Sequence, residues 1–286
     1  MSITIVRLIG VALAALMANA VNAADLRIVS GLAHPESVAM GADGRVYVSE
    51  MGEVGKDGDG RISAIDNKGR IQSFAMGFDD PKGLVRWKRG FFISDKTRVW
   101  KVDGEGRATV FASPIDFPEP PHSLNDIAVD SRGNLYIADS GDVSSSGKGA
   151  IFKITPHGNI SLVINEAKNP LIKNPSGLLF ERPGKLLIID FTSGELYRLD
   201  VVRLTLDKIA DGLIGGDGLA RDSFGILYIS DSKSGRVWKL DLKKKNAKPE
   251  QYAQIFQAAA DIALSKNRKY ILVPDMKAGT LTWLPK

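Results

Sequence analysis

The sequence predicts an all-β chain, a six-bladed β-propeller of four-stranded blades whose last blade is closed by the N-terminal strand. Three observations predict it. An apolar strand ending in an acidic residue is written six times, as Val46–Glu50, Phe92–Asp95, Leu135–Asp139, Leu187–Asp190, Leu227–Asp231 and Ile271–Asp275. These endings recur every roughly 40–50 positions, the period of a propeller blade rather than of a helical array. After each acidic residue comes a strand in which apolar and polar residues alternate, such as Arg98–Asp103 or Arg236–Asp241, as expected of strands packed between blades.

The acidic strands are the second of each blade and the alternating strands the third. Looser fourth strands follow at Ile71–Phe74, Ala108–Phe111, Ile160–Ile164, Leu206–Ile209 and Tyr252–Phe256. The sixth copy stops at Lys286 without one. Leu26–Val29 is expected to supply the missing strand, which removes an open edge and ties both ends of the chain together.

Residues 1–23 stand apart from this pattern. Arg7 gives a short positive flank, Leu8–Val21 is apolar, and Val21-Asn22-Ala23 offers small residues for a signal peptidase. This reads as a secretory signal cleaved after Ala23, leaving one domain over 24–286 and a periplasmic or secreted location. No later segment is long and apolar enough to span a bilayer. The chain has no Cys, so thiolate chemistry is excluded and the core alone must hold the fold.

The formal charge of +5 clusters visibly only at Lys243-Lys244-Lys245 with Lys248. No aromatic residues interleave with these lysines, so the run reads as a solvated turn and not as a nucleic-acid surface.

Strands alternate in direction, so loops can be assigned to faces. The long insertions Met51–Gly60, Ser113–His122, Ser140–Gly149 and Glu166–Asn174 all fall on one face. Loops elaborated on one face point to function there, including a face able to take a small molecule or a protein partner.

At the start of each first strand the six copies disagree. The residues are Glu36, Lys82, Asn125, Ser176, Asp217 and Ala260, set among neighbours that repeat. They are expected to converge on the axis at the mouth of the looped face. Two carboxylates, an amide and a hydroxyl would offer oxygen ligands to a hard divalent cation, Ca²⁺ first. Lys82 could instead serve as counter-ion to Glu36 and Asp217 in a hydrogen-bonded plug. By contrast the acidic ending of each second strand is the same in every blade and reads as a turn device accepting backbone hydrogen bonds.

The phrases Asn125-Asp126-Ile127-Ala128-Val129-Asp130 with Gly133–Asp139, and Asp217-Gly218-Leu219-Ala220 with Leu227–Asp231, resemble the gluconolactonase/regucalcin family of six-bladed propellers and the related NHL repeats. The likeness runs through 24–286. It implies a lactone hydrolase using a divalent cation, with metal ligands at Glu36, Ser176 and Asp217. It places Asn125 at a further polar contact to metal or substrate. Two positions depart from the family pattern: Ser176 replaces an Asn, and Lys82 brings a positive charge to the column.

Other motifs carry less. Gly141…Gly147-Lys148-Gly149 has one residue too many for a phosphate loop and lacks its Ser/Thr, and there is no Gly-x-Ser-x-Gly elbow. Lys56–Gly60 resembles a calcium loop without its distal Glu. Of the three histidines, His34 and His122 precede column residues, whereas His157 belongs to an opposite-face turn.

The sequence thus leads to an exported lactone hydrolase with a cation held by Glu36, Asp217, Asn125 and Ser176. Asp217 and His122 are the groups to handle the proton, and Lys82 with Asn125 would meet the substrate. The competing reading is a non-catalytic binding propeller with a degenerate metal site.

Overall fold

The structure, a computed structural model, describes residues 26–286 apart from Val54; the expected signal segment lies outside the described residues. Six antiparallel four-stranded sheets form the blades, each running from an inner strand at the axis to an outer strand at the rim. The inner strands of blades 1 to 6 are Pro35–Met40, Pro81–Trp87, Leu124–Val129, Pro175–Arg182, Gly216–Arg221 and Ala263–Leu264.

The ring closes as expected. Arg27–Ser30 pairs antiparallel with Thr280–Pro285, Arg27 opposite Trp283 and Ser30 opposite Thr280. The Arg27 guanidinium also lies 4.1 Å from the Trp283 ring centroid, so the joint combines a ladder with a cation–π contact.

Alternation in the middle strands sends side chains to both faces of every blade, and the core accordingly splits into apolar clusters between adjacent blades. Ile62, Tyr47, Leu84 and Ile93 join blades 1 and 2. Ile151, Leu178, Ile188 and Tyr197 join blades 3 and 4. Val38, Val48, Leu272 and Leu281 do the same across the closing joint.

The four long insertions all sit between strands on the looped face, and Ser113–His122 contains one short 3₁₀ turn, Pro114–Asp116. The common acidic ending works as a turn device. Asp139 accepts from the backbone N–H groups of His122, Ser123 and Gly141 at 2.7–3.0 Å. Asp190 does the same for Lys173, Asn174 and Ser193, and Asp275 for Gln257 and Ala258. Asp275 also accepts from the Ala278 N–H at 3.1 Å. Asp139, Asp190 and Asp275 therefore tie the loop entering the blade to the loop leaving its second strand, whereas Asp95 holds only the entering loop and Asp231 only the leaving one.

Candidate functional site

The inner strands are bulged where they enter the channel. Pairing jumps from Pro35 to Val38, Pro81 to Leu84, Leu124 to Ile127, Pro175 to Leu178 and Gly216 to Leu219. Two residues per blade thereby leave the ladder, and a bulge re-aims their side chains. Pro at three of these entries has no N–H to lose on an edge facing the axis.

The first residue of each bulge is the divergent column, so the structure brings Glu36, Lys82, Asn125, Ser176 and Asp217 together at the mouth. Asn125 Nδ2 donates to Ser176 Oγ at 3.4 Å, and Ser176 Oγ donates to Asp217 Oδ1 at 2.8 Å. Asn125 Nδ2 also donates to Ser140 Oγ at 3.1 Å, and that hydroxyl is anchored on the Pro175 carbonyl. Glu36, Ser176 and Asp217 are buried. Ala260 contributes only a small apolar wall.

Glu36 Oε2 is buried and, among the described residues, has no hydrogen-bond partner. Burial, followed by the negative charge of Asp217, pushes the Glu36 carboxyl well above its ordinary range, against the opposing pull of Lys82. Asp217 is also raised, mainly by burial, while hydrogen bonds from Ser176 and Ser232 and the charge of Lys82 hold it back. Lys82 acts only from a distance. Its Nζ lies 3.3 Å from Ser123 Oγ, and among the described residues it forms no ion pair with either carboxylate.

The second residue of each bulge forms a layer that the sequence reading passed over: Ser37, Gly83, Asp126, Gly177, Gly218 and Asp261. Ser37 Oγ donates to Asp261 Oδ2 at 2.5 Å, and Asp126 Oδ2 accepts from the Leu178 N–H of the next blade at 2.7 Å. The glycines let neighbouring backbones approach. A Cβ on Gly177 would stand 1.9 Å from the Asp217 carbonyl oxygen, and one on Gly83 2.6 Å from that of Asn125. This waist separates the mouth from a recess of about 450 Å³ opening on the opposite face, lined by Asp126 and Asp261 together with Leu84, Ile127 and Leu178. Burial raises Asp126 to about 7 and Asp261 well above the usual carboxylate range. The signal was visible: the position after the column is glycine three times, aspartate twice and serine once, a mixture that no turn or strand requires.

Among the described residues none of the three histidines hydrogen-bonds to a column residue. His122 is exposed, its backbone N–H is held by Asp139, and it lines a neighbouring recess of about 280 Å³ with Glu119, Asn165 and Glu166. His34 Nδ1 pairs with the Gly52 carbonyl oxygen at 2.6 Å. His157 is in an opposite-face turn, as the strand order predicts.

The donor types at the mouth are oxygens, the kind a hard cation takes. Among the described residues no cluster of three or more His, Cys, Asp or Glu could hold a metal, so the mouth offers two carboxylates completed by an amide and a hydroxyl. An unpartnered buried carboxylate oxygen beside a second carboxylate calls for a proton or a cation. Oxygen donors of this kind suit Ca²⁺ or Mg²⁺ better than soft metals.

Fold and site together define a six-bladed propeller with a carboxylate-bearing polar mouth, and the same chain path is found in solved gluconolactonase structures. A gluconolactonase from Xanthomonas campestris superposes with a TM-score of 0.72 at 16% identity, covering 91% of this chain and 90% of that one. A protein provisionally designated a gluconolactonase gives 0.68 at 16% identity, covering 90% and 91%. A streptogramin B lyase gives 0.64 at 13% identity, covering 91% and 97%. No protein-family model matches the sequence, and no curated protein does.

Proposed function

We propose that the protein is a lactone hydrolase whose site is the mouth of the looped face. The observation that carries this reading is the buried, unpartnered Glu36 Oε2 beside the Asn125–Ser176–Asp217 chain. The gluconolactonase-type fold supports it. Glu36 and Asp217, with Asn125 and Ser176, would hold a divalent cation, Ca²⁺ first by the chemistry of the donors. When bound, such an ion polarises a carbonyl or lowers the pKa of water.

The residues themselves do the rest. Asn125 and the Lys82 ammonium, which no carboxylate among the described residues pairs with at close range, orient the lactone oxygens. Water adds to the lactone carbonyl carbon and gives its proton to Asp217, whose carboxyl is raised above its ordinary range by burial and is thereby a stronger base. The ring C–O bond then breaks, and the proton passes to the departing ring oxygen, leaving a hydroxy acid. Proton handling is assigned to Asp217 rather than His122 because Asp217 lies within the column. The waist below the mouth closes the site against the opposite face.

Export, inferred from residues 1–23, would place this activity in the periplasm or outside the cell. A second reading, a binding propeller without turnover, is favoured by Lys82, whose charge opposes a cation in the same column. Elemental analysis of the purified protein and hydrolysis of aldonolactones by the parent, Glu36→Ala and Asp217→Ala proteins distinguish the two. Hydrolysis and bound metal should be lost together in both variants. A parent with neither metal nor turnover, or variants that retain both, would refute the hydrolase.

A further inference from the structure

The two faces of the propeller carry opposite charge. The turns on the face away from the mouth, with the C-terminal residue, hold sixteen Lys and Arg side chains against six Asp and Glu. The loops on the mouth side hold seven against twelve. The modest net charge of the chain therefore conceals a strongly basic face and an acidic one.

Large apolar side chains stand in solvent on the basic face too, as others such as Ile115 and Ile214 do on the mouth side. Phe224 is 72% exposed and Val202 81%, with Leu204 at 47%. All three are in turns of blades 4 and 5, Asp222–Gly225 and Val201–Leu204. The fold does not need them there. Equivalent turns of blades 1 and 3 carry Asp43 and Arg132 where blade 5 carries Phe224, each followed by a glycine with positive φ.

Phe224 lies beside the lysine run. The Leu242 N–H donates to the Gly225 carbonyl oxygen at 3.2 Å, and Lys243 packs against Gly225. Arg198 and Lys208 of blade 4 share one recess with Lys243–Lys245 of blade 5. An apolar tip beside a run of lysines, on a face rich in basic side chains, matches a surface that is anionic outside and apolar just beneath. A flat polyanion offers partners to the lysines only.

The chain also enters the propeller from this face. Arg27, opposite Trp283, begins the closing strand at that side.

We propose that the opposite face docks on an anionic lipid surface, with Lys243–Lys245 at the headgroups and Phe224 and Val202 entering the interface. The mouth then points away from the membrane into solvent. This inference is independent of the chemistry at the mouth.

Co-sedimentation with vesicles tests it, using the chain from Ala24 onward, since every strand of the six blades lies within residues 27–285. Vesicles of phosphatidylcholine are compared with vesicles in which about a third of the lipid is phosphatidylglycerol. Binding is expected only to the anionic vesicles and should weaken steeply with added salt. Changing Lys243→Glu, Lys244→Glu and Lys245→Glu together should weaken it roughly 100-fold. Phe224→Ser should weaken binding about tenfold and leave the salt slope unchanged. Circular dichroism of each variant confirms that it remains folded. Equal binding to neutral vesicles, unaltered binding by both variants, or equally tight binding to a soluble polyanion such as polyglutamate would overturn the proposal.

Discussion

Ser176 of blade 4 donates a 2.8 Å hydrogen bond to Asp217 of blade 5, so the hydroxyl that stands where an amide was expected also opposes the rise that burial imposes on the carboxylate beside it. Hydrogen bonds to a carboxylate favour its ionised form and lower its pKa. Removing this one in Ser176→Ala should raise Asp217 further. The base form then appears at higher pH, and the acidic limb of the rate profile should move upward, with turnover at neutral pH falling about tenfold. Ser176→Asn, which restores an amide, should retain metal and activity. A pH–rate profile for the three proteins checks this.

The six-copy pattern made the ring, the closing strand and the turn role of the acidic endings readable, because each is a repeated local rule. Glu36, Ser176 and Asp217 were readable as the places where the rule is broken. Asp126 and Asp261 were missed because Asn-Asp-Ile-Ala and Ala-Asp-Ile-Ala resemble one another, so the Asp looked like part of the repeat. A bulge that releases two residues per blade cannot be seen in one strand; it is a property of the register between two. Nor does sequence spacing show that His122 is exposed and lines a recess with Glu119, Asn165 and Glu166, which depends on the path of the Ser113–His122 insertion.

The buried carboxylates make stability depend on pH in the unusual direction. A carboxyl whose folded pKa is raised holds its proton more firmly folded than unfolded, so it disfavours the folded state as pH climbs from its unfolded to its folded pKa. For Asp126 that window runs from 3.8 to about 7, and Glu36, Asp217 and Asp261 shift in the same direction. The lowered carboxyls of Asp43, Asp66 and Asp103 act below this range. In chelator the melting temperature should therefore fall between about pH 5 and pH 7.5. Millimolar Ca²⁺ should restore most of the loss at pH 7.5, because binding to the folded state alone stabilises it. Calorimetry across this range, with and without Ca²⁺, decides the matter.

Asp139 should behave differently from the mouth carboxylates despite its equal conspicuousness in the sequence. Its oxygens accept from His122, Ser123 and Gly141, and Asp139→Ala leaves those N–H groups without their acceptor. The expected cost is about 2–4 kcal/mol, by the usual penalty for unmade buried hydrogen bonds. Metal content per folded molecule should not change. Denaturant unfolding together with elemental analysis separates this structural loss from the loss of a ligand.

Two glycine substitutions in blade 4 separate close approach from backbone conformation. Gly177 does not have positive φ, but its missing Cβ is the space in which the Asp217 carbonyl oxygen sits, 1.9 Å away. Gly184 has φ of 75° in an open turn, with nothing within 4 Å of an added Cβ. Gly184→Ala should cost about 1–2 kcal/mol, the strain of a left-handed alanine, and leave the mouth untouched. Gly177→Ala must instead push blades 4 and 5 apart at the waist, for at least 1–3 kcal/mol of overpacking, and the displacement falls on the peptide that carries Asp217. It should therefore reduce cation affinity and hydrolysis in molecules that remain folded, whereas Gly184→Ala should not. Isothermal titration with Ca²⁺ on both variants, at a temperature where each is folded, would expose an error in the proposed waist if Gly177→Ala bound as the parent does.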